Sequence, residues 1–153
     1  MPGLGPHRKT SCSKRPAGSV RLETTILYKI ESKKQLTEIA RDLEAAAQKH
    51  KLGVLAVHDL KAKMQEKGVE FQGDCLIYEV CNPHQAKKVL ESNLELSTAL
   101  PCRISVYRTG TGYTLATLRP TSLVELFHAE GLRPVAEEVE RTILAIMQEA
   151  AGG

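Results

Sequence analysis

The joint at Asn82-Pro83 constrains this chain more than any other feature. An asparagine side chain accepts from the free amides of a helix's first turn, and proline suits the first helical position, where no backbone donor is needed. Just before it, Cys75, Ile77 and Glu79 alternate with Leu76, Tyr78 and Val80, the period of a strand with two different faces. A strand that runs straight into a helix puts both element types in one packed unit, which argues for an α+β domain.

The flanking sequence extends that pattern. Val20, Leu22, Thr24, Ile26 and Tyr28 alternate with polar residues and predict a first strand over residues 20–30. Ser32 and Gln35 then read as a capping box, opening a helix to about Lys49 with Leu36, Ile39, Ala40, Leu43 and Ala47 on one face. The unbroken apolar run at residues 54–57 predicts a strand covered on both sides. A weak helix or wide loop over residues 60–67 follows, ended by Gly68. After the helix opened by Pro83, which fades near Asn93, residues 103–108 and 113–119 form a hairpin about Thr109-Gly110-Thr111-Gly112. Ser122 and Glu125 make a second capping box, and Pro134 opens a last helix with Val135, Val139, Ile143, Ile146 and Met147 as its apolar face. The expected architecture is an α+β two-layer sandwich, a mixed sheet of about five strands with helices on one face.

Charge separates the chain into two parts. Residues 1–19 carry Arg8, Lys9, Lys14 and Arg15 with no acid, and their Pro, Gly and Ser content predicts a disordered basic leader. The net charge of the whole is +3, so the domain expected over residues 20–150 is nearly neutral. It has no basic stripe, and aromatic residues make up only 4% of the chain with no Trp, which argues against a nucleic-acid partner. No segment has the length and apolarity to span a membrane. Four cysteines, Cys12, Cys75, Cys81 and Cys102, without a secretory signal point to free thiols in the cytoplasm. None of them forms a C-x-x-C pair.

Three stretches carry a likeness to a known family. They are Leu52-Gly53-Val54-Leu55-Ala56-Val57-His58-Asp59-Leu60, then Tyr78-Glu79-Val80-Cys81-Asn82-Pro83, then Leu100-Pro101-Cys102-Arg103-Ile104-Ser105-Val106-Tyr107. Over residues 23–127 the chain resembles the bacterial and archaeal family called domain of unknown function 302, in a cysteine-bearing branch, since many members lack cysteine at the positions of Cys81 and Cys102. Residues 132–150 lie outside that resemblance. The likeness implies a small α+β fold and a homodimer, and it implies no reaction.

Four residues are candidates for chemistry. Cys81 ends a strand just before the Asn82 cap, where a helix N-terminus favours thiolate, and Cys102 opens a later strand. If those strands are antiparallel, the thiols share one end of the sheet and can hold a soft metal or a sulfur species, or cycle through a disulfide. A free cysteine also packs well as a small hydrophobe, and Cys75 is expected to do so. His58 is a candidate ligand or proton carrier, beside an Asp59 expected to cap the next helix. Glu79 is an acid on a strand face, a partner for Arg103 or one wall of a pocket. The expected function is binding of a small ligand, soft metal or sulfur species through the cysteines. The alternatives are a thiol-based redox or sulfur-transfer enzyme and a structural dimer or partner module. No cofactor is indicated.

Overall fold

The structure, a computed structural model, describes residues 26–152. The basic leader, Cys12 and the start of the strand expected from residue 20 lie outside the described residues. The elements are β1 (Leu27–Ser32), α1 (Leu36–Lys49), β2 (Gly53–Asp59), α2 (Leu60–Glu66), β3 (Cys75–Cys81), α3 (Pro83–Ser92), β4 (Cys102–Thr109), β5 (Gly112–Leu118), α4 (Pro120–Leu126) and α5 (Arg133–Ala151). A 3-10 segment, Leu94–Ala99, and a cis Leu100-Pro101 bond lead into β4.

The five strands form one sheet in the order β1-β5-β4-β3-β2. Every neighbouring pair is antiparallel, where a mixed sheet was expected. The connection after β3 decides this: α3 carries the chain away, the 3-10 segment brings it back, and β4 enters beside the end that β3 left, with Val80 facing Cys102. Strands β2 to β5 are laid down in sequence, and β1 closes the far side by pairing with β5. Between the outermost strands, α1 crosses the whole sheet. Five strands span about 19 Å and fourteen helical residues about 21 Å, so the helix is just long enough.

The core lies between one sheet face and helices α1 and α5. Ile39, Leu43, Ala46 and Ala47 from α1 and Ile143, Ile146, Met147 and Ala150 from α5 pack on Tyr78, Val80, Ile104, Val106, Tyr113 and Leu115. The apolar face expected of the last helix is thus the one buried, with Val139 packed at its edge. Polar ties fasten the ends of this layer: Ser32 Oγ donates to the Ala151 carbonyl at 2.9 Å, and Lys34 Nζ donates to the Ala150 carbonyl at 3.1 Å and to Asp42 at 2.8 Å.

Helix starts are right where proline marks them and shifted where serine was taken as the cap. Asn82 Oδ1 accepts from the amides of His84 and Gln85 at 3.0 and 3.3 Å, as expected. Ser32 instead belongs to β1, and the cap of α1 is Gln35, whose amide donates to Glu38 at 3.0 Å. Helix α4 starts at Pro120 behind Arg119, ahead of the expected Ser122. The largest correction concerns β2. Expected to be covered on both sides, it is an edge strand with Val54, Leu55 and Val57 exposed. Among the described residues no element covers these three side chains.

Candidate functional site

Cys81 and Cys102 lie at the same end of the sheet, because β3 and β4 are antiparallel and Val80 is the residue opposite Cys102. Both line a small cavity of about 40 Å³ beneath α3, walled by Leu52, Val89, Leu100 and Ile143. That is room for one or two waters rather than a metabolite. Burial and the neighbouring Cys81 push the Cys102 thiol up to about 11, against an opposite pull from Arg103. Burial also raises Cys81 and Cys75. Burial thus works against the thiolate expected of Cys81 at the start of α3. Among the described residues no three His, Cys, Asp or Glu side chains gather into a metal cage.

His58 and Glu79 do come together, on the other face of the sheet. Glu79 sits opposite Arg103 and beside Ala56, so His58 reaches it diagonally. His58 Nε2 stands 3.4 Å and Arg103 Nε 3.6 Å from the same Glu79 oxygen. Glu79 is thus the pairing partner foreseen for Arg103. Asp59 caps α2 as expected, accepting from the Ala62 amide at 3.0 Å.

This second face has no helix of the core packed on it, and a groove of about 370 Å³ crosses it. Register explains the hollow. Ser105 faces Ala116, so two small side chains meet at the centre of the face, with Lys29 on the far side of Ala116. Tyr107, Arg103 and Cys75 stand on one side, and Leu27, Leu118 and Leu123 on the other. Cys102 lines the groove as well as the small cavity, and Cys75, expected in the core, lies in the groove wall. Three of the sequence candidates thus gather around this face: Cys102 in its lining, and His58 and Glu79 through Arg103. Cys81 stays behind, in the cavity under α3.

Two further polar clusters escaped the sequence. Asp74 Oδ2 accepts from Tyr113 at 2.8 Å and from Arg108 Nε at 3.2 Å, with Arg108 also donating to the Tyr113 hydroxyl at 2.8 Å. The Tyr113 hydrogen bond leads the groups that lower the Asp74 carboxyl, against burial. Glu140 of α5 accepts from Thr121 and Arg119, tying α5 to the start of α4. Neither cluster borders the groove, and both read as fasteners between elements. Their members are far apart in the chain, and no local motif announces them.

The comparisons with known proteins agree with this fold. The model of the family described as Domain of unknown function DUF302 matches residues 28–150. The match includes α5, beyond the stretch on which the sequence resemblance rests. Among solved structures, the chain is similar to the crystal structure of uncharacterized conserved protein DUF302 from Bacillus stearothermophilus, with 30% identity and a TM-score of 0.77. That likeness covers 82% of this chain and 98% of the other. No curated protein matches.

Proposed function

The chain belongs to the family Domain of unknown function DUF302, and from that premise we propose that it is a non-catalytic module that binds a small ligand in the groove on the uncovered sheet face. The groove carries the reading. At about 370 Å³ it lies within the size range of small-molecule sites, and its floor of Ser105 and Ala116 leaves room that larger side chains would fill. A thiol-based redox or sulfur-transfer enzyme needs an accessible, ionised cysteine, and Cys75, Cys81 and Cys102 are all pushed the other way. A soft metal or sulfur species at Cys81 and Cys102 would have to ionise the same half-buried thiols. Free cysteines also support a reducing compartment, the cytoplasm.

Calorimetry with octanol and octanoate tests the site. At least one should bind, and the groove-filling variant Ala116→Leu should lose it while keeping its melting temperature within a few degrees. If neither probe binds the native protein, the groove is not a ligand site.

A second reading, compatible with the first, concerns assembly. Leu55 and Val57 are 62% and 42% exposed on an edge strand, and among the described residues no strand stands beside its outer backbone groups. Exposed apolar edges invite pairing, and we propose that β2 of a second copy covers this one in a homodimer. Sedimentation should show a dimer that Leu55→Lys converts to monomer. A native monomer at micromolar concentration refutes the pairing.

A further inference from the structure

We infer that the ligand of the groove is an anionic amphiphile, one carboxylate head on an apolar body; this rests on the groove being the ligand site proposed above. Of the described side chains that line the groove, Arg103 alone is charged. Its guanidinium is poorly occupied. Among the described residues it has an ion-pair partner only in Glu79, at 3.6 Å, which is beyond a good hydrogen bond, and its side chain is 52% exposed. Glu79 is shared with His58 at 3.4 Å, so the carboxylate nearest Arg103 is itself divided between two bases. The planar fork of N–H donors on Arg103 is thus available to a carboxylate, which takes it two-pronged.

The rest of the lining suits a hydrocarbon. Continuing the ladder in which Ser105 faces Ala116, Arg103 on β4 falls in one row with Leu118 on β5 and Leu27 on β1, which face each other, and the Ser105–Ala116 floor lies beside that row. Two strand spacings separate β4 from β1, so head and tail subsites stand about 10 Å apart. The other charges on this face are Lys29, facing Ala116 across the ladder, and Glu31, facing Thr114. Lys29 adds to the pull on an anion near the floor, and Glu31 stands two residues farther along the edge strand.

Calorimetry with octanoate and octanol, equal in chain and different in head, tests the class of ligand. Octanoate should bind about tenfold tighter than octanol, the scale of one half-exposed Arg–carboxylate pair. Arg103→Gln should bring the two within about twofold while leaving octanol unchanged, and Glu79→Gln should widen the preference severalfold. Octanol binding as tightly as octanoate overturns the anionic class, and a preference that survives Arg103→Gln overturns Arg103 as the group that holds the head; either result leaves the groove standing as a site. Failure of both probes removes the site beneath it.

Discussion

Glu140 holds α5 against the start of α4, and its replacement by glutamine has a size that follows from the contacts. The carboxylate, 13% exposed, accepts from Thr121 Oγ1 at 2.6 Å, from the Thr121 amide at 3.1 Å and from Arg119 Nη1 at 2.8 Å. Burial alone would raise this carboxyl, but the Thr121 hydroxyl and amide and the Arg119 guanidinium outweigh it, and it titrates below the usual range. Glutamine keeps the shape, loses the charge and turns an NH2 toward groups that are themselves donors. With charged hydrogen bonds worth about 1.5–3 kcal/mol and one acceptor oxygen retained, the loss should be about 2 kcal/mol. In a domain of this size that lowers Tm by about 4–8 °C. The pH dependence has a definite sign. The folded-state carboxyl is depressed, so its contribution is present above the unfolded value of about 4.3 and disappears as pH falls through the folded one. Denaturant melts of native and Glu140→Gln protein should therefore differ most at neutral pH and converge on acidification. A variant within about 1 °C of native at pH 7, or a gap that stays constant down to pH 3, refutes the reasoning.

The remaining expectations are local. With its thiol pushed up to about 11, Cys102 should be alkylated in the folded protein at least a hundredfold more slowly than in denaturant, read by mass spectrometry; equal rates would mean that the thiol is open to solvent. Gly112→Ala places a methyl group into the Ser32 carbonyl, a backbone atom that cannot step aside, and should cost about 1–3 kcal/mol in a urea melt. A stable alanine variant would show that β1 is not seated against the hairpin as described. Truncation before Arg133 strips Ile143, Ile146 and Met147 from the core, and the remainder should lose its cooperative melt; a truncated chain as stable as the native one would show that α5 contributes nothing.

What could be read from the sequence was what short segments decide for themselves. Asn82 and Pro83 start α3 whatever surrounds them, and the 3.6-residue spacing of Ile143, Ile146 and Met147 marks the face that is buried. Edge position is not such a property. Val54, Leu55 and Val57 would look the same in a strand covered by helices, and only the pairing order shows that β2 is the sheet's edge among the described residues. The direction of β4 turned on how far the 3-10 segment doubles back, which its composition does not record. For the thiols, both types of placement were open beforehand. What surrounds them comes from Leu52, Val139 and Ile143 on other elements. The groove was invisible because Ser105 and Ala116 are unremarkable apart and form a hollow only when the hairpin sets them side by side. Glu140 and Thr121 were likewise too distant in sequence to suggest each other.

The placement of α5 also governs how this domain comes into being. Residues 133–151 follow every other element, yet they supply half of the helical layer over the sheet and accept the Ser32 and Lys34 bonds that tie the first strand's end to the last helix. A chain emerging from the ribosome completes all five strands before any of α5 is available. Until then Val80, Ile104, Val106 and Leu115 face α1 alone, and half of their cover is missing. With contacts spanning 119 residues, the domain cannot close by local steps, which favours slow folding. The period between synthesis of β5 and release of α5 is therefore when this protein most needs a chaperone's shelter.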